Sequence, residues 1–125
     1  MKNLQLSLKK KWFDMTASGE KSEDYREINE YWFNRLFADI DKEDMPIILQ
    51  RLNNGWSIER IEEFYLHCLK PFTQNTMTLG YPVKCDKDKT LVFKHAGIHI
   101  GEGKPEWGAE AGKLYFVIKH GERLQ

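Results

Sequence analysis

NLQLSLKKKWFDMTASGEKSEDYREI, residues 3–28, decides the fold. Leu4, Leu6 and Leu8 alternate with Asn3, Gln5 and Ser7, which is the period-two pattern of a half-buried strand. From Lys9 to Ser18 the spacing turns helical: Leu8, Trp12 and Met15 fall on one face, and Gly19 suits the left-handed residue that closes a helix. A turn at Glu20 and Lys21 then leads into a second strand from Ser22 to Ile28. Ser22, Asp24 and Arg26 share one face of that strand, and Glu23, Tyr25 and Glu27 share the other. Both faces carry charge where a plain sheet strand alternates apolar with polar, so core burial does not account for this composition.

Outward from this segment, residues 30–72 read as helical. Tyr31, Trp32, Phe33, Leu36 and Phe37 form one apolar face, and Met45, Ile48, Leu49 and Leu52 form another that stops at Asn53-Asn54-Gly55. Ser57 caps a further helix, with Trp56 and Ile61 placed as a hydrophobic staple and Pro71 as its end. The aromatic side chains of these helices read as packing residues rather than a base-stacking platform. Beyond Phe72 the pattern returns to strands at Thr76–Leu79, Thr90–Ile100 and Lys113–His120. Leu91 and Phe93 lie in one alternation phase and Ile98 and Ile100 in the other, which predicts a bulge at Ala96-Gly97. Leu114 to Ile118 is apolar on both faces, the pattern of an interior strand.

At 125 residues and 41% hydrophobic content, the chain can bury one core without disulfides or a structural metal, and one domain over residues 1–125 is expected. Acidic and basic residues balance at 19 each, so no general attraction to polyanions or anionic membranes is implied, and any such site must be local. Lys9-Lys10-Lys11 and the looser group Lys84, Lys87 and Lys89 read as solvated faces. No apolar run is long enough to span a bilayer, and Lys9-Lys10-Lys11 arrives before a signal-peptide core could form. Cys68 and Cys85 form neither a CxxC pair nor a secreted disulfide pattern. A cytoplasmic protein with Cys68 as a core thiol is expected, with no membrane association.

The motif inventory is mostly negative. His95 and His99 would lie roughly 13 Å apart on one strand face, too far to share an ion, so no metal site is indicated. No phosphate-binding or dinucleotide loop occurs, and Gly101-Glu102-Gly103 runs into Lys104-Pro105 where a helix start would be needed, so no cofactor is implied. There is no GxSxG elbow and no cysteine with an obvious histidine partner. What stands out is Lys21, Ser22, Glu23, Asp24 and Arg26, where cations, a hydroxyl and carboxylates crowd into six residues after a helix end. A surface salt-bridge network is one reading. A polar cleft in which Lys21 and Arg26 hold an anionic or carbonyl-bearing ligand, oriented by Asp24, is the other.

These residues carry a family resemblance. Strand, helix, Gly19-Glu20-Lys21-Ser22 and then Arg26 resemble the G-x-K-x-x-[ET]-x-R signature of the ASCH (activating signal cointegrator homology) domain, within the PUA-like group of small β-barrels flanked by helices. The run from Ile98 through Glu106, Trp107 and Glu110 into Leu114–Ile118 is similar to the last part of bacterial and phage members. The likeness covers the first ~30 and last ~35 residues. Residues 30–72 would be a helical insertion. The resemblance implies an α+β fold with a small curved β-barrel, and recognition of RNA or a modified nucleotide or nucleoside beside the signature. It places ligand contacts at Lys21, Asp24, Tyr25, Arg26, Glu106 and Trp107. Some relatives are amidohydrolases that remove an acyl group from N4-acylated cytidine, using the signature lysine, a threonine three residues later and a later glutamate. Lys21 matches the lysine. Asp24 stands at the threonine position, so Ser22 would have to supply the hydroxyl, and Glu102, Glu106 and Glu110 are all open as the later acid.

Three functions follow from these readings: an RNA, nucleotide or nucleoside binding module; a small amidohydrolase with Lys21, Ser22 and Asp24 as its catalytic residues; and a protein-interaction domain without a small ligand, which would show an exposed apolar patch on the helical insertion. The binding module fits the residues best, because nucleobases are held by stacking together with charge.

Overall fold

The computed structural model describes residues 2–38, 68–80 and 89–124, together with positions 43, 46–47 and 50–51. In chain order the elements are strand β1 (Lys2–Leu8), helix α1 (Lys10–Ala17), strand β2 (Glu23–Glu27), helix α2 (Glu30–Leu36), strand β3 (Phe72–Leu79), strand β4 (Thr90–Glu102), a 3-10 turn (Pro105–Trp107) and strand β5 (Leu114–Arg123). The strands form one mixed sheet in the order β1-β3-β4-β5-β2. β1 runs parallel to β3, and the other pairings are antiparallel. The sheet curls into a half-barrel, and its two edge strands approach closely enough for Arg26 Nη2 of β2 to donate to the Ser7 carbonyl of β1 at 3.0 Å. The fold is therefore a mixed α+β structure around a curled sheet. No helix among the described residues is long and apolar enough to cross a membrane.

The alternation read from β1 holds, and Leu4, Leu6 and Leu8 are all buried. They meet Met77 of β3, Leu91 and Phe93 of β4, Phe116 and Ile118 of β5 and, from α2, Phe33 and Leu36. Phe33 stacks on Phe37 at 4.5 Å between centroids and meets Phe116 edge-on at 5.9 Å, so α2 is fixed against the sheet by aromatic contacts. Cys68 is half-buried against the rim of this core. β5 lies between β4 and β2, the interior place expected from Leu114–Ile118. The predicted bulge is present. The β4–β5 register shifts twice between Phe93 and Ile98, and Gly97 takes φ +116°, where a side chain would be strained.

Two local expectations are corrected. The buried face of α1 is Phe13 and Thr16, whereas Trp12 and Met15 are only partly covered. A helix of two turns is too short for its periodicity to distinguish neighbouring faces, and Trp12 turns toward Gly108 instead. The helical pattern also does not run to Phe72, which is the first residue of β3. Thr73 to Thr76 give a weak strand signal because Asn75, a polar residue, occupies an inward position, and parallel pairing with β1 overrides the local preference. α2 ends at Phe37, which turns extended and bridges Leu69, while Ala38 N–H donates to the Cys68 carbonyl and Lys70 N–H to the Leu36 carbonyl. Residues 46, 47, 50 and 51 are helical. The helix expected from Ser57, its Trp56–Ile61 staple, Cys85 and the pair Lys84 and Lys87 lie outside the described residues.

Candidate functional site

The turn after α1 sets the site. Gly19 at φ +84° reverses the chain, and the Lys21 N–H comes back to donate to the Met15 carbonyl at 3.1 Å. This backbone bond carries the Lys21 side chain inward, where only 3% of the residue remains exposed. Its Nζ donates to the Glu23 carbonyl at 2.6 Å and to Asp24 Oδ1. Asp24, equally buried, faces inward from β2, and its second oxygen accepts from His120 Nε2 of β5 at 2.7 Å.

The hydrogen bonds continue across the sheet. Asn75 Nδ2 of β3 donates to the Lys119 carbonyl at 3.2 Å, and since that oxygen only accepts, the amide orientation is set. The other Nδ2 proton then meets His120 Nδ1 at 2.8 Å, and Asn75 Oδ1 accepts from His95 Nδ1 of β4 at 2.7 Å. His120 therefore carries its proton on Nε2, facing Asp24, and His95 carries one on Nδ1. Lys21, Asp24, His120, Asn75 and His95 form one polar row across β2, β5, β3 and β4, with every contact complementary.

Electrostatics follow from this placement. Burial alone would raise the Asp24 carboxyl, but the His120 N–H and the Lys21 ammonium outweigh it and hold the group at about 2, so Asp24 is ionised in the fold. Loss of hydration lowers the pKa of Lys21 from its ordinary value, and the neighbouring Asp24 charge opposes that fall. Burial and then the hydrogen bond to Glu23 push the Tyr25 phenol upward, so it remains protonated as a donor. His95 is lowered, first by burial and then by the neighbouring His120.

Lys21 and Asp24 open onto a cavity of about 250 Å³. Arg26 lines it beside them, and four aromatic residues, Trp12, Tyr25, Trp107 and Tyr115, complete its surface with the β1 end from Ser7 to Lys9. Two tyrosines tie down the loop that bears Trp107. Tyr25 O–H donates to Glu23 Oε1 at 2.6 Å while its oxygen accepts from Lys104 N–H at 3.0 Å, and Tyr115 Oη accepts from Glu110 N–H at 2.9 Å. Gly103 lets the loop pass between Ala109 and the Tyr25 ring, since a Cβ there would stand 2.6 Å from Ala109 Cβ and 2.8 Å from the ring. The Lys104 ammonium lies 4.2 Å from the Trp107 ring centroid.

Of the residues singled out from sequence, Lys21, Asp24, Tyr25, Arg26 and Trp107 come together around this cavity. Asp24 pairs with Lys21, whereas Arg26 donates to Ser7 and lies 4.9 Å from the Trp32 ring centroid. Ser22 and Glu106 are exposed and outside the lining, as are Glu102 and Glu110. Ser22 stands just before β2 begins at Glu23, its carbonyl accepting from His120 N–H at 3.0 Å, and its side chain is exposed. Glu106 is turned away from Trp107 by the 3-10 geometry, with about three residues per turn. Of the lysine run, Lys9 reaches the cavity rim, Lys10 pairs with Asp14, and Lys11 lies 4.9 Å from the Trp12 ring centroid. Among the described residues, no three metal-ligating side chains converge.

Sequence reading missed Trp12 and Tyr115 as lining residues, and Asn75, His95 and His120 as partners of Asp24. One signal was present for His120: it continues the inward phase of Leu114, Phe116 and Ile118 as its first titratable residue, before exposed Glu122. No protein-family model, curated protein or solved structure matches the chain.

Proposed function

We propose that the cavity binds the base and attached sugar or phosphate of a nucleotide or nucleoside, free or within RNA, on a PUA-like barrel of the ASCH type. One observation carries this reading: four aromatic residues surround a buried, already paired lysine and an arginine in a space of about 250 Å³. Nucleobases are held by stacking plus directed polar contacts, and this lining supplies both. An ammonium has three N–H donors, and Lys21 gives two to Glu23 and Asp24, which leaves one for a ligand oxygen. Arg26 adds a buried Nε donor with no acceptor among the described residues.

The test is a panel of free and N-acylated nucleosides and their monophosphates, read by thermal shift and by titration calorimetry. Binding by at least one of them, weakened about fivefold or more by Trp107→Ala at about 1–3 kcal/mol per stacked base, is the expected result. No binding across the panel would overturn the proposal. A second reading, hydrolysis of an acylated nucleoside, is favoured by the lowered pKa of Lys21 beside an ionised carboxylate. Asp24 has both oxygens engaged and no hydroxyl among the described residues bonds to Lys21, so water would attack the acyl carbon, breaking the amide C–N bond to give carboxylate and free amine. The same panel assayed for product decides between binding and turnover.

A further inference from the structure

Outside the cavity, α2 presents a face that its packing does not explain. Trp32 lies between two cations, with the Arg26 guanidinium carbon 4.9 Å and that of Arg35 5.1 Å from its ring centroid. Tyr31 meets Trp32 edge-on at 5.3 Å and accepts from Arg35 Nη1 at 3.1 Å, yet remains 60% exposed. Both guanidiniums are anchored to the open edge of β1. Arg26 Nη2 donates to the Ser7 carbonyl and Arg35 Nη2 to the Gln5 carbonyl, each at 3.0 Å.

Capping two edge carbonyls needs only one neutral donor each. Here two positive charges are placed near one another, and after burial the Arg35 charge is among the causes that lower the pKa of Arg26. Neither forms an ion pair among the described residues, and Asp24, the nearby carboxylate, is committed to Lys21 and His120. The two anchors are two residues apart on β1, about 7 Å along the strand at the usual rise. That is of the order of the separation between successive phosphates in an extended single strand. Arg26 belongs to both places, lining the cavity and flanking Trp32.

From this ladder of alternating aromatic and cationic side chains we infer that the protein's ligand is a single-stranded nucleic-acid segment rather than a free nucleoside: the base next to the one in the cavity stacks on exposed Tyr31, and the linking phosphates lie along Arg26 and Arg35. The inference rests on the cavity reading above. It assigns α2 a role in recognition that its core contacts through Phe33 and Leu36 do not require.

The experiment compares affinities of uridine, cytidine and adenosine 5′-monophosphates with those of the matching single-stranded ribohexamers and deoxyribohexamers, at several salt concentrations. Counting binding registers alone gives a hexamer an advantage of roughly sixfold. The ladder raises the advantage of the better-bound hexamer about tenfold beyond that count through one more stacked base, and Tyr31→Ala, at an exposed position, returns it to the count. Arg35→Gln lowers the slope of log affinity against log salt by roughly 0.7, the release expected for one phosphate of a single strand. If monophosphates bind but the hexamer advantage stays at the register count, or survives Tyr31→Ala, the ladder assignment is wrong and the cavity reading stands. The hexamer with the larger advantage identifies the sugar of the strand, and an advantage at the register count for both overturns the ladder. Absence of binding by every probe overturns both.

Discussion

Asp24→Asn is the sharpest test of the buried row, because it preserves shape and removes one charge. At neutral pH the wild-type carboxylate accepts from Lys21 and His120 with one oxygen each. The amide can still accept from Lys21, but its NH2 group faces the His120 Nε2 proton, and the Lys21 ammonium loses its counter-charge. Removing one partner of a buried pair typically costs about 3–5 kcal/mol, and we expect about 3 kcal/mol at pH 7. The pH dependence gives an independent figure. A carboxyl held at about 2 against an ordinary 3.8 contributes about 2 kcal/mol near neutrality. The folded value is depressed, so this stabilisation is complete above the unfolded value and is lost as pH falls from about 4 through about 2. The stability gap between wild type and Asp24→Asn should therefore narrow by about 2 kcal/mol between pH 5 and pH 2. Urea denaturation followed by far-UV circular dichroism at a series of pH values measures it. A gap below about 1 kcal/mol at pH 7, or one that does not change with pH, would refute the assignment. The double substitution Lys21→Met with Asp24→Asn removes both charges and should be no less stable than Asp24→Asn alone.

Two further substitutions probe the supports of the site. Asn75→Leu places an apolar residue at a fully buried position, yet it strips His120 Nδ1, the His95 Nδ1 proton and the Lys119 carbonyl of a partner; at about 1 kcal/mol or more each, a loss near 3 kcal/mol in urea denaturation is expected, and an unchanged or raised stability would contradict the hydrogen-bond assignment. Gly103→Ala forces a methyl group against Ala109 and the Tyr25 ring and should cost about 1–3 kcal/mol, with accelerated exchange of the Lys104 amide as the loop lifts from Tyr25; a protected Lys104 amide in the variant would show that the loop is held elsewhere.

Where one face is buried and the strand is regular, the fold could be read directly. β1 announced itself by alternation and β5 by a run apolar on both faces, and the bulge at Gly97 followed from a change of phase, because a period of two admits no other way for Phe93 and Ile98 both to face the core. The first half of β3 escaped, while Thr76–Leu79 was read, because its inward residue Asn75 is polar, and the reason for that polarity lies in His120, 45 residues along the chain. The site divides the same way. Lys21, Asp24, Tyr25 and Arg26 are neighbours in sequence, so their crowding was visible. The remainder of the row is assembled by strand order, with His120 meeting Asp24 across 96 residues, and no local spacing encodes that contact. Ser22 and Glu106 show the reverse error. Ser22 was placed by counting along a regular strand and lies just before β2 begins, and Glu106 was placed by resemblance alone and stands exposed in the 3-10 turn.

The row also raises the question of why the core keeps charge here at all. A buried ion pair seldom stabilises a fold more than apolar residues of the same volume, so stability alone gives no reason to hold Lys21 and Asp24 inside the curled sheet. Geometry gives one. A free lysine side chain carries about 2 kcal/mol of rotamer entropy that a ligand must overcome when it captures the ammonium. Here that ordering is complete on folding: Glu23 and Asp24 fix the ammonium, His120 fixes the second carboxylate oxygen, and Asn75 fixes His120 through a carbonyl that can only accept. On the proposed reading, a ligand oxygen entering beside Trp107 meets a donor already aimed and already desolvated. The prediction that sets this apart from a purely structural row is that His120→Ala weakens binding of the monophosphates even under conditions where the variant is fully folded. It does so by releasing Asp24, and with it Lys21, without removing any group that lines the cavity.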